Sequence, residues 1–445
     1  MSDDLRFDWE WLAYPELPPE EAATFAELTI RLNDKAMTRL YDVAAKTERD
    51  GLFAAAYPLA LFLAENWWRL RWEPAPKSLS SASPHWRLAH NIAAAGAGYI
   101  WPNITFHSDG ERMFMHVGPH ASESSAVQFV SQGHGVFDAG LFETEVDRFM
   151  EGVLARLEVC EQTETELGYL WRAVQAERSS GEDFERRRLE ALAGFDPDDA
   201  PEDMLDELLR LEQRLGASAI RELAAASQHN TLGHVQALED ALRASGLRYH
   251  VPDAHQMNSE GPLPPWRRAV ETARAARRAW GLEDGPLDNT RLAAIVDLPR
   301  EQLDSTAPEK VPYSASLHEG EGGAGRLVFR TGHRHGRRFA LGRLMGDAFY
   351  VPDEERRLAT ATDARTGRQK FQRAFAQELL CPFDALSEFL DLSEEVDARD
   401  ETNLPNEDRI EEAAEYFDVS LSVVQSMLVN HNVLPRDVLE PTDVA

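Results

Sequence analysis

Apolar and polar positions in the first 160 residues switch between the two periods that secondary structure imposes. Residues 26–32 place Leu28, Ile30 and Leu32 on one side at a two-residue period, the mark of a half-buried strand that Asn33-Asp34 ends. Residues 57–71 change to helical spacing and close on the cluster Trp67, Trp68 and Trp72. The Ser- and Pro-rich stretch 74–84 is a loop. Residues 103–117 predict a hairpin turning on Asp109-Gly110, with Ile104, Phe106, Met113, Met115 and Val117 sharing the core face. Residues 142–159 predict a closing helix.

From 161 to 260 the pattern is helical. Segments 164–178, 184–193 (stopped by Gly194), 201–215 (Pro201 in its first turn, Gly216 after it) and 231–244 read as a connector or small bundle. A polar, Pro-containing linker over 252–265 precedes a third pattern. Residues 266–280 predict a helix whose bases, Arg267, Arg268, Arg274, Arg277 and Arg278, suit a solvated face. A short strand at 327–330 and helices at 337–349 and 369–380 follow. A helical pair over 407–433 is joined at Asp418-Val419-Ser420. The expected fold class is therefore α+β, mainly helical: a mixed α/β domain at 1–160, a helical connector at 161–260 and a further domain at 261–445.

Composition narrows the function classes. With 77 acids against 46 bases the net charge is -31, which repels phosphate backbones, so direct nucleic-acid binding is not expected. The last helical pair has helix-turn-helix shape around Ala413, Ala414, Phe417, Val419, Val423, Val424 and Met427. Its second helix, however, carries no Lys or Arg with which to hold a phosphate, and a structural role is expected. The longest apolar stretch, 52–64, is interrupted by Pro58, so no membrane span is expected. The start Met-Ser-Asp-Asp-Leu lacks a basic, apolar leader, and the two cysteines, Cys160 and Cys381, are few and far apart; a cytoplasmic location is expected.

The 14 histidines invite a metal search. With the turn on Asp109-Gly110, His107 and His116 share a face but stand four positions apart along the ladder. That is roughly 14 Å at ~3.4 Å per residue, too far for one zinc. His116, His120 and His134 converge only if loops bring them together. His333 and His335 sit among Arg334, Arg337 and Arg338, a setting that disfavours another cation. The run 319–325, rich in glycine and containing acids, predicts a flexible loop. No HExxH, CxxC, GxSxG or Walker-type sequence occurs.

The segment Arg338-Phe-Ala-Leu-Gly-Arg-Leu-Met-Gly-Asp347 resembles the active-site helix of the ImmA/IrrE zinc peptidases, R-F-T-L-A-H-E-L-G-H, and Arg338, Phe339, Leu341 and Gly346 match in place. Downstream, Phe375 and Ala376-Gln-Glu-Leu-Leu-Cys-Pro382 are similar to the family's F-A-x-E-L-L-M-P signature. The strand before the helix, the terminal helical pair with Phe417-Asp-Val-Ser420 and Met427-Leu428, and the helix from Trp266 followed by Leu282 and Leu287 extend the resemblance over about 262–438. It implies a zincin-like domain at 261–445. The departures are in the chemistry. Arg343 stands at the first zinc histidine, Leu344 at the general base and Asp347 at the second histidine, and residues 369–373 contain no acid where the third ligand would lie. Zinc needs three good ligands and an open water position, and a guanidinium binds no cation. No catalytic residue, metal or cofactor is therefore expected.

The candidate pocket at the degenerate site comprises Arg338, Arg343, Asp347, Arg368 and Arg373. Arg343 and Asp347, four apart on one helix, suit an ion pair that plugs the hole; an open, arginine-lined pocket would take a carboxylate or phosphate. The resemblance implies a non-catalytic regulatory or interaction protein with a protein partner (a repressor, a toxin or another subunit) in stress, mobile-element or phage-defence regulation. Two alternatives stand beside it: a hydrolase or metal enzyme using His107, His116, His120 and His134, and a scaffold or antitoxin-like subunit, including a homo-oligomer. The tryptophans between Trp67 and Trp101 suit a buried core better than a contact surface.

Overall fold

The structure, a computed structural model, describes residues 3–76, 78–119, 125–227, 230–252, 263–307, 309–319, 324–351, 357–392 and 405–435. The protein is mixed α/β with helix predominating. Among the described residues no helix is long and apolar enough to cross a membrane. The chain divides into two compact units. One holds Met1–Leu209 with two short later segments, the other Arg210–Ala226, Asn230–Asp363 and Gly367–Ala445.

In the first unit strand β1 (Leu5–Trp11) pairs antiparallel with β2 (Phe25–Leu32), Phe7 opposite Ile30. The alternation foreseen in β2 holds: Leu28, Ile30 and Leu32 are buried. The helical stretch after residue 56 is two helices, α1 (Ala56–Glu65) and α2 (Trp67–Trp72), parted at Asn66, whose side-chain amide donates to the Phe62 carbonyl at 2.8 Å. A second sheet joins β3 (Asn103–Ser108), β4 (Arg112–Gly118) and β5 (Gly133–Asp138), with β4 central.

The hairpin of β3 and β4 keeps the expected core face but not the expected register. Ser108 opposes Met113 and Phe106 opposes Met115, because the turn centres on Gly110-Glu111. Gly110, at φ 95°, occupies the first central position, as a type II′ turn requires, and the Asp109 carboxylate accepts the Glu111 and Arg112 amides. Moving a turn by one residue slides the ladder by two, and an even slip leaves every side chain on its own face.

Helix α3 (Ala139–Val159) starts at the Asp138 cap and buries Phe142, Val146, Phe149, Met150, Val153 and Leu157 at helical spacing. Fully burying each such side chain contributes about 1.5–3 kcal/mol. Trp67 packs on Phe142 and Trp171, and Arg178 lies 4.4 Å from the Trp67 ring centre. Trp67, Trp68, Trp86 and Trp101 are all buried, so these tryptophans are core. The helices expected as a connector are shared out. Those at Glu166–Ser179 and Gly181–Leu192 join this core through Leu167, Trp171, Val174 and Ala191. The helices Ala217–Ser227, not foreseen from the sequence, and Thr231–Ser245 fall in or mainly in the second unit.

The second unit has an antiparallel sheet ordered β6 (Leu247–His250), β8 (Ala324–Val328), β7 (Ser314–His318) and β9 (Leu358–Ala361). Of these only the strand before residue 330 was foreseen. The linker expected at 252–265 and the glycine run at 319–325 fall largely outside the described residues. Three helices pack together: α4 (Pro265–Ala279), α5 (Arg334–Tyr350) and α6 (Gly367–Leu380). Small residues allow the approach. A Cβ on Gly342 would lie 3.1 Å from the Ala376 Cβ, and one on Gly346 would lie 2.8 Å from the Phe375 ring. The bases of α4 are not all on a solvated face: Arg277 is buried and donates to the carbonyls of Leu379, Glu283 and Gly285. Arg274 reaches Glu378 at 2.6 Å and Asp384 at 3.1 Å.

The terminal pair is α7 (Glu407–Tyr416) and α8 (Leu421–Asn430), with Ala413, Ala414, Phe417, Val419, Val423, Val424 and Met427 buried as expected. Asp418, at φ 53° between them, accepts from Arg334, is hydrogen-bonded to His335 at 3.1 Å and forms an ion pair with Arg338 at 3.1 Å. That tie fastens the pair to the first turns of α5.

Candidate functional site

Helix α5 carries Arg343, Leu344 and Asp347 into the interior, where α6 and β9 meet it. Leu344 is completely buried and Asp347 nearly so. The expected ion pair between Arg343 and Asp347 does not form. Asp347 pairs instead with Arg368 of α6, whose Nε and Nη2 donate to its two carboxylate oxygens at 2.7 Å each. Gln372 Nε2 adds a third bond to Oδ1 at 2.6 Å. The reason lies in side-chain direction. A long side chain on a helix leans toward the helix N-terminus, so Arg343 turns away from a short carboxylate one turn further on. Burial alone would lower the Arg368 pKa, but the Asp347 carboxylate reverses this and raises it.

Arg343 is satisfied differently. Its Nη2 donates to the Thr362 carbonyl and to Gln369 Oε1. Gln369 is held in turn by its own bonds to the Thr362 amide and the Thr360 carbonyl, both at 2.9 Å. Arg343 Nε has no hydrogen-bond partner. Burial, and then the nearby charge of Arg373, push the Arg343 guanidinium down to about 9, which still leaves it charged at neutral pH. Arg368 and Arg343 thus have separate fates, one bonded to a carboxylate and one hydrogen-bonded only to neutral oxygens.

Of the five expected pocket residues, the fold brings Arg343, Asp347, Arg368 and Arg373 to one region. Arg373 Nη1 approaches the Thr362 carbonyl at 3.5 Å. Arg338 is not with them. It is fully buried one helical turn away, donates to Asn289 and the Leu287 carbonyl, and pairs with Asp418. Gln369 and Gln372 are the members that sequence reasoning overlooked. They occupy the stretch set aside for having no acid, and an amide that accepts from an arginine is as much a part of such a network as a carboxylate.

A cavity of about 730 Å³ opens beside this network. Its wall includes Arg330, His333, Arg343 and Asp363, with Gly336, Phe339 and Ala340 of α5 beside them. Arg368 and Asp347 do not line it, so the ion pair fills one part of the region and leaves Arg343 at the edge of an open space.

The histidines of the first unit need a correction. His107 and His116 are not about 14 Å apart; their Nε2 atoms lie 3.2 Å apart and their rings are nearly parallel. With the register shifted by two they become diagonal neighbours, and His134 of β5 stands directly opposite His116. His120 lies outside the described residues. Among the described residues no group of three His, Cys, Asp or Glu side chains is placed to hold a metal ion. His90 belongs to a different network: its Nδ1 faces the Phe106 carbonyl at 2.8 Å and its Nε2 faces Glu73 at 2.9 Å, with Arg69 on the same carboxylate at 2.7 Å.

Comparison with protein-family models, with curated proteins and with solved structures finds no match to this chain.

Proposed function

We propose that the second unit is a zincin-like, ImmA/IrrE-type domain that has lost its catalysis, and that the protein acts as a cytoplasmic regulatory or interaction protein, with a repressor, a toxin or another subunit as partner. The observation that carries the reading is the bidentate Arg368–Asp347 pair. A carboxylate with both oxygens on a guanidinium, and an amide on one of them, has three of its roughly four acceptor positions occupied and a cation already beside it, which opposes a metal ion there. Beside it, Arg343 and Leu344 can neither ligate a cation nor take a proton from a bound water. The test is isolation of the full chain from its own cells in mild salt, with metal content and peptide hydrolysis measured on the same sample. A stoichiometric complex with a repressor, toxin or second subunit, free of zinc and of peptidase activity, is expected. A zinc-loaded, peptide-cleaving monomer would overturn the reading. A scaffold or homo-oligomer shows itself in the same sample as an assembly of defined mass.

A second reading has an observation of its own. Two imidazoles on one tetrahedral zinc, at Zn–N of about 2.0–2.1 Å, hold their nitrogens about 3.3 Å apart, close to the 3.2 Å between His107 and His116. On this reading the first unit carries a metal site, and His134 supplies a third ligand by rotating its exposed ring. Zinc titration of the wild type and of H116A decides it: one saturable site lost in H116A supports the metal enzyme, and equal binding by both proteins dismisses it.

A further inference from the structure

We propose that the cavity beside the first turns of α5 is a binding site for a small oxyanion, a carboxylate- or phosphate-bearing molecule held by Arg343 with Arg330 on the same wall. Three observations converge. The volume of about 730 Å³ lies within the roughly 300–1,000 Å³ of small-molecule sites. Arg343 lines the cavity at only 8% exposure, and both its hydrogen bonds leave from Nη2, so Nη1 is left without a partner. A guanidinium in that state keeps its planar fork incompletely used, and a carboxylate or phosphate is what such a fork fits.

The third observation is the end of α5 itself. This helix runs for 17 residues, and its N-cap, His333, makes no side-chain cap, so the first-turn amides are left without the usual acceptor. Gly336, in that first turn, lines the cavity, and a Cβ there would lie 2.8 Å from the Thr331 side chain, which would have to shift. Arg343 stands about 10 Å beyond Gly336 along the axis, at ~1.5 Å per residue, and lines the same cavity. The N–H groups of a helix point toward its N-terminus, so the start of α5 adds its positive dipole to the cavity while Arg343 is the direct side-chain donor.

Charge agrees with the assignment. In a chain of net charge -31 the cavity wall carries Arg330 and Arg343 against one carboxylate, Asp363, which Arg330 approaches at 4.0 Å. The low guanidinium pKa of Arg343 reflects burial and then the charge of Arg373, which the carboxylates of Asp363, Glu222 and Asp347 only partly offset, a penalty that a bound anion relieves. The inference stands on the cavity's own residues and does not depend on the peptidase likeness or on a protein partner.

The experiment is isothermal titration of the full chain, in a buffer free of phosphate and carboxylate, with inorganic phosphate in one arm and succinate in the other. Saturable one-to-one binding in at least one arm is expected, and the responding arm tells the phosphate class from the carboxylate class. R343M should weaken it roughly 10- to 100-fold, the worth of a charge-assisted hydrogen bond. Because Arg343 is buried, R330A serves as the second variant. Its side chain is half exposed and its loss spares the fold, and it should weaken binding severalfold. No saturable heat in either arm, or wild-type affinity in both variants, overturns the proposal.

Discussion

Removing either partner of the Arg368–Asp347 pair should be among the most damaging single changes in the second unit, and removing both far less damaging than the sum. The two side chains are 4% and 1% exposed, so neither charge can turn to water when its partner goes. The charge centres of a bidentate pair lie about 4 Å apart, which at an effective dielectric of about 20 corresponds to roughly 4 kcal/mol. Deletion of one partner from a buried pair costs about 3–5 kcal/mol, because an uncompensated charge remains. D347L leaves Arg368 with only Ser218 Oγ at 3.1 Å and the Leu358 carbonyl at 3.4 Å. R368M leaves the carboxylate with Gln372 alone. The double variant D347L/R368M replaces the pair by apolar side chains and should recover most of the loss. Urea unfolding followed by circular dichroism gives the midpoints. Hydrogen exchange of peptides spanning 334–350 and 367–380 localises the effect to the two helices. Two single variants that each lose less than about 1 kcal/mol, or a double variant as damaged as the worse single, would refute the reasoning.

Three further outcomes follow from other parts of the molecule. Burial would raise the Glu73 pKa, but His90 and Arg69 more than offset it and hold the carboxyl below the ordinary value of 4.5. Its contribution to stability is thus complete above about 4.5 and lost as pH falls through the depressed value. In E73Q the difference in urea midpoint between pH 7 and pH 3 should shrink; an unchanged difference would rule out Glu73 as a source of acid sensitivity. Cys381 is fully buried, its thiol pushed up by burial and then by Glu378, whereas Cys160 is half-buried. A thiol-specific disulfide reagent should titrate one cysteine quickly in native buffer and both in denaturant, and fast native reaction in C160S would contradict the burial. Gly346→Ala should lower the thermal midpoint, since its Cβ would press on the Phe375 ring. Overpacking of that kind costs about 1–3 kcal/mol, against about 1 kcal/mol gained from alanine's helix propensity. A raised midpoint would show that α6 gives way freely.

Local pattern determined much of what this chain becomes. The two-residue period of β2, the helical period of α3, the core face of the hairpin and the inward residues of the terminal pair are properties of one segment at a time, and spacing alone specifies them. That arginine at 343 and leucine at 344 can neither ligate a cation nor act as a general base was legible too, wherever they lie. Partner choice was not. Asp347 meets Arg368 because α6 is packed beside α5, and Arg343 meets Gln369 and a carbonyl because the segment after β9 passes there. The hairpin makes the same point at smaller scale. A turn displaced by one residue preserved every face, yet it moved His107 from a remote position to 3.2 Å from His116. Periodicity decides which side of an element is buried. Only tertiary packing, where long-range contacts fix distances to within an ångström, decides which buried charge finds which partner and where an unfilled cavity is left.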